Sequence, residues 1–243
     1  DFCLSRGLGD VYKRQYVERS IAQEQLYGAY QDRPTLRDRA LALGNLANIL
    51  IEYGPEPERG FRYLQQVLSL YEVLGDKSRE AWAGMLIGLY YMNAGRYRQA
   101  MDHLQASLAL YRAIDHARGI VQSTYNIGRC NFFQNRYGQA LDSLESALRK
   151  ARDLPDPFRI ALSQILLGWT YHRLGDLAKA RALLEEGLRA AEGNNYGELL
   201  PDAYLALGEL YRDRGENNLA GQYFQQAVSS SWTELSVSES SVE

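Results

Sequence analysis

Cysteine is nearly absent from this chain of 243 residues, which holds two, Cys3 and Cys130. Two thiols cannot build a disulfide framework, and their scarcity fits a reducing compartment. Histidine is almost as rare. His103, His116 and His172 have no cysteine or carboxylate partners at metal-ligand spacing, which argues against a metal site. No apolar run approaches the 18 or more residues that a membrane-spanning helix needs. Basic charge is not in excess: the net charge is −3, so no overall field draws nucleic acid or an anionic membrane. No glycine loop ending in Lys-Ser or Lys-Thr cradles a phosphate. No Ser-His-Asp set can be assembled, and paired carboxylates such as Glu185-Glu186 read as a solvated helix face. These absences point away from an enzyme and from any cofactor or metal.

What the chain does have is recurrence. A small residue appears at Gly60, Ala100, Ala140, Ala180 and Ala220, each 40 residues after the last. Four positions on come Leu64, Leu104, Leu144, Leu184 and Phe224, and four further on Leu68, Leu108, Leu148, Leu188 and Val228. An earlier set, Gly88, Gly128, Gly168 and Gly208, keeps the same step, with Ala47 standing in that slot in the first unit. Between the two sets lie Gly95, Asn135, Gly175 and Gly215. Apolar residues four apart select helix over strand. A fixed period of this length marks a repeat array. Each unit therefore reads as helix A, a tight turn and helix B. A glycine inside a helix costs about 1 kcal/mol relative to alanine, and close approach of two backbones offsets that cost. Many of the 18 tyrosines, including Tyr91, Tyr97, Tyr137, Tyr171 and Tyr211, recur in phase and read as packing.

The expected fold class is all-α, a right-handed superhelical α-solenoid of antiparallel helix pairs. Five repeats occupy 36–230, with units starting near Leu36, Lys77, Ala117, Asp156 and Gly197. Residues 16–35 read as the second helix of a truncated repeat. Residues 231–243 are a Ser-rich tail or a partial helix. Ser5 to Gln15 matches the translation of a transposase-based sequencing adaptor, so 1–15 are expected to be artefactual and disordered, with the true N-terminus missing. A cytoplasmic location is the default expectation.

With Leu207-Gly208, Tyr211, Gly215, Ala220, Phe224 and Ala227 in one unit, and Leu167-Gly168, Tyr171, Gly175, Ala180 and Leu184 in another, the array resembles tetratricopeptide repeats. The period of 40 exceeds the common one of about 34, as in the longer repeats of bacterial sensor and regulator proteins. In that family helix A lines a concave face that holds a peptide. The resemblance implies a non-catalytic binding scaffold or adaptor. The alternative is a regulatory sensor segment of a larger signalling protein or transcription regulator. Counting one, four and five residues on from the glycine slot gives candidate contacts at Asn48, Leu89, Met92, Arg129, Phe133, Trp169, His172, Arg173, Glu209 and Arg212, to which Asn126 is added. The middle of this face looks basic and aromatic. A protein or peptide with acidic groups beside an apolar anchor is the expected partner, because guanidinium forks bind carboxylates and aromatic side chains anchor interfaces. Nucleic acid and membrane insertion are not expected.

Overall fold

The computed structural model describes residues 35–52 and 56–239, with side chains through residue 230 except that of Glu52. The adaptor-like stretch, the half-repeat at 16–34 and the turn residues Gly54-Pro55 lie outside the described residues. The chain divides into two compact units, Asp1–Ser123 and Thr124–Glu243. The first contains α1 (Leu36–Glu52), α2 (Pro57–Leu74), α3 (Lys77–Asn93), α4 (Tyr97–Ala113) and the opening turns of α5 (Ala117–Phe133). The second contains the rest of α5, then α6 (Tyr137–Asp153), α7 (Pro157–Arg173) and α8 (Leu177–Gly193). A single 3-10 turn (Gly197–Leu199) then leads into α9 (Leu200–Asp213) and α10 (Asn217–Glu239). Among the described residues all regular structure is helical. The fold class is all-α, built from antiparallel helix pairs.

Local chemistry sets the ends of these helices. Asp76, Asp156 and Asp176 cap α3, α7 and α8, each accepting at 3.1 Å from the amide three residues on. Such caps satisfy one of the free amides of a first helical turn. At the A-to-B turns the left-handed backbone falls on Gly95 (φ 71°), Asn135 (58°), Gly175 (85°) and Gly215 (79°), the residues the repeat pattern puts there. The following amide then reaches back to close the helix end, as from Asp176 to the Tyr171 carbonyl at 3.0 Å.

Packing within each pair follows the small-residue slots. In the first unit, a Cβ added at Gly88 would stand 2.9 Å from Leu104 Cγ. In the second, the same atom at Gly168 would stand 2.8 Å from Leu184 Cγ and 3.1 Å from the Ala180 carbonyl oxygen. Leu64, Leu104, Leu144 and Leu184 are completely buried. Each is worth roughly 1.5–3 kcal/mol of burial, which exceeds the glycine penalty. The first repeat swaps the two slots. Ala47 takes the helix-A place, and the glycine moves to helix B as Gly60, where a Cβ would lie 2.8 Å from the Ala47 carbonyl oxygen.

The in-phase tyrosines are structural ties as well as packing. Tyr171 donates to Glu145 at 2.9 Å and Tyr211 to Glu185 at 3.1 Å, each reaching back 26 residues to the preceding helix B. Burial, with the neighbouring carboxylate, pushes the Tyr211 hydroxyl up to about 12.

Candidate peptide-binding face

The 40-residue step places the candidate residues of the second unit in three rows across α5, α7 and α9. One row is Arg129, Trp169 and Glu209. The next is Phe132, His172 and Arg212, and the third is Phe133, Arg173 and Asp213. The rows are physically joined. Trp169 Nε1 donates to the Glu209 carboxylate at 2.8 Å. The Phe132 and Trp169 rings lie 5.4 Å apart. His172 Nε2 meets Asp213 at 3.0 Å, and Arg212 Nε donates to the same carboxylate at 3.2 Å. The Arg129 guanidinium sits 5.7 Å from the Phe133 ring centre.

Charge on this face is balanced rather than basic. Arg129, Arg173 and Arg212 are set against Asp202, Glu209 and Asp213. Burial holds the Asp202 carboxyl above the usual carboxylate range, and Arg129 pulls it down by less. The residue as a whole is exposed at the start of α9, so the carboxyl is crowded by its neighbours rather than sealed from water. Burial likewise pushes the Tyr125 hydroxyl up to about 12, with Arg129 lowering it and Asp202 raising it. Burial also acts to raise Asp213, but hydrogen bonds from Arg212 and His172 outweigh it and leave the carboxyl below its ordinary value. A carboxylate accepts, so His172 presents Nε2–H to it, and its Nδ1 is buried without a hydrogen-bond partner among the described residues. Arg173 is exposed and makes no ion pair among the described residues.

The expected site residues therefore separate. Asn126 and His172 are buried, at 4% and 7% exposure, and hold the face from below. Arg129, Trp169 and Glu209 are half-buried and form its floor, while Phe133, Arg173 and Arg212 are exposed on it. In the first unit, Leu89 and Met92 are buried at 6% and 3%. They act as core, a correction to the surface role read from the helix count. Asn48 is half-buried, and its Oδ1 lacks a hydrogen-bond partner. Sequence reasoning did not single out Tyr125 or Asp202. They precede Arg129 by four residues and Glu209 by seven, so extending the helical count backwards would have found both.

This geometry offers forked cations, carboxylates and ring faces on one helical surface, with no nucleophile held against a base among the contacts described. Among the described residues no group of three or more His, Cys, Asp or Glu side chains could hold a metal ion, and no helix is long and apolar enough to cross a membrane. Such a surface belongs to the class of helical-repeat recognition folds. Two tetratricopeptide repeat models match the chain, one over 79–153 and 119–193 and the other over 165–234. The chain belongs to the tetratricopeptide repeat family. Solved structures share its fold. Apo RapI matches with a TM-score of 0.72 at 15% identity, covering 90% of this chain and 78% of that one. BtubC from P. vanneervenii matches with a TM-score of 0.64 at 17% identity, covering 96% and 93%. A Rap protein complexed with competence and sporulation factor matches with a TM-score of 0.69 at 15% identity, covering 94% and 73%. No curated protein sequence matches.

Proposed function

We propose that this chain is a non-catalytic module that binds a protein or peptide segment along its helix-A face, the concave face of the family. The observation that carries the reading is the joined surface of α5, α7 and α9, where Trp169 and His172 are fixed by Glu209 and Asp213 while Phe133 and Arg173 remain exposed. Fixed side chains lose little entropy on binding, and an exposed ring beside a free guanidinium suits an apolar residue next to a carboxylate. The partner is a peptide with an acidic group beside an apolar anchor. Arg129, Trp169, Glu209 and Arg212 complete its contacts, with Asn126 buried beneath them, and Asn48 stands at the corresponding helix-A position within the first unit.

A second reading has a specific observation in its favour. Two of the similar structures are a Rap protein with competence and sporulation factor and a Rap conjugation gene regulator with the Phr* peptide. Under that reading the same face senses a peptide and controls an attached effector. Peptides selected from a displayed random library against the full chain test both. The selected peptides carry Asp or Glu beside an apolar residue, and Arg129→Ala with Arg173→Ala weakens them at least about tenfold, by about 1.4 kcal/mol. Unchanged affinity in the double variant removes the proposal.

A further inference from the structure

The second unit contains two equivalent corners, one repeat apart, and they differ in one respect. At the later corner, Tyr211 donates to Glu185, and Tyr223 from α10 stacks on Tyr211 with ring centres 5.4 Å apart and planes 4° from parallel. At the earlier corner, Tyr171 donates to Glu145 in the same way. The position matching Tyr223 is Leu183. Among the described residues no ring covers Tyr171 there, and a cavity of about 460 Å³ opens between α6, α7 and α8. Its volume lies within the roughly 300–1,000 Å³ of small-ligand sites.

Charge also separates the two corners. The open one is lined by Arg149, Arg152 and Lys179 with Glu145 as the single acid. The matching positions of the closed corner are Arg189, Glu192 and Leu219. Lys179 already hangs over the Tyr171 ring, its ammonium 5.0 Å from the ring centre. Arg152 is exposed and makes no ion pair among the described residues. The cavity therefore pairs an aromatic face that only the Lys179 ammonium overhangs, and an apolar wall, with three cations. Arg149 is ion-paired to Glu145 and Lys179 to Asp176, leaving one positive charge in excess on a chain whose own net charge is −3.

We propose that this cavity is a second binding site, on the helix-B side of the second unit, for a partner segment presenting one aromatic side chain flanked by carboxylates. The ring stacks on Tyr171 in the place that Tyr223 takes on Tyr211. The flanking carboxylates accept from Arg149, Arg152 and Lys179. Offset stacking and cation–carboxylate pairing are the interactions the next repeat satisfies internally or lacks. This site is independent of the helix-A face, so either can fail without the other.

The test uses the full chain and the capped peptide Asp-Glu-Phe-Asp-Glu in calorimetric titrations. Leu183→Tyr installs the ring of the next repeat, and it is expected to abolish binding while leaving the melting temperature unchanged or higher. Arg152→Glu changes only an exposed side chain and is expected to weaken binding at least about tenfold. A peptide with alanine for phenylalanine loses as much. Arg129→Ala with Arg173→Ala leaves this titration unchanged. The proposal is overturned if folded Leu183→Tyr binds as well as the parent, or if Arg152→Glu has no effect. It is equally overturned if the helix-A double variant abolishes binding, or if 4-hydroxyphenylacetate alone binds as tightly as the peptide.

Discussion

Replacing Gly168 by alanine and Gly84 by alanine should move stability in opposite directions. Both glycines lie inside helices, Gly168 in α7 and Gly84 in α3. Both substitutions gain the same intrinsic helix preference, about 1 kcal/mol. A Cβ at Gly84 meets nothing within 4 Å, so the gain is kept. At Gly168 it would stand 2.8 Å from Leu184 Cγ and 3.1 Å from both the Ala180 carbonyl oxygen and the Leu184 amide nitrogen. Two of those three atoms are backbone and cannot rotate away. Overpacking of that kind costs roughly 1–3 kcal/mol, so the net change is a loss of up to about 2 kcal/mol. For a chain of this size each kcal/mol moves the melting temperature by roughly 2–4 °C. Thermal unfolding followed by circular dichroism should show Gly84→Ala melting a few degrees higher than the parent and Gly168→Ala melting lower. If both variants gain equally, the helices do not approach as described, and the small-residue argument collapses.

The remaining predictions use other parts of the fold. Leu144→Ala empties a fully buried site and should cost about 2–5 kcal/mol in urea unfolding. Asp176→Ala removes the α8 cap and should cost roughly 1 kcal/mol, with Asp176→Asn recovering most of it. Asp202 carries a pH signature. Burial raises its folded pKa, so the folded state binds the proton more tightly than the unfolded chain. Its contribution is therefore most favourable below the ordinary carboxylate range and is lost as pH rises through the folded value. Asp202→Asn should raise the melting temperature at pH 7 and leave it unchanged at pH 3. A stabilisation that is the same at both pH values would show that the carboxyl is not held up by burial.

Much of the fold was legible because identical residue types return at one step. Leucine, glycine and alanine in fixed phase leave few other arrangements, and the turn residues announce their left-handed backbone. Slots filled by unlike residues were not legible. Ser107, Ala147 and Ala227 are all buried at positions 40 apart, together with Val67 and Gly187, yet Val, Ser, Ala, Gly and Ala share only modest size. Ser107 even donates to the Ala81 carbonyl at 2.7 Å, a tie no periodicity reveals. The candidate face was legible in azimuth but not in depth. Counting along helix A locates the side facing inward, whereas the size of neighbouring side chains decides whether a residue reaches the surface. Leu89 and Met92 share the helical position of Trp169 and His172, and of these four only Trp169 is not buried. How the carboxylates temper the arginines was not legible for a related reason. Asp213 pairs with His172 across a separation of 41 residues, and a single-helix count does not look across repeats.

The central claim is that recognition occurs on the helix-A face of α5, α7 and α9. Amide and side-chain NMR shifts of the full chain, recorded while adding a library-selected peptide, test it most directly. The predicted result is a set of changes centred on Arg129, Phe133, Trp169 and Arg173, with the indole Nε1–H of Trp169 among the largest. Changes confined to α6, α8 and α10, with that indole signal unmoved at saturation, would contradict it.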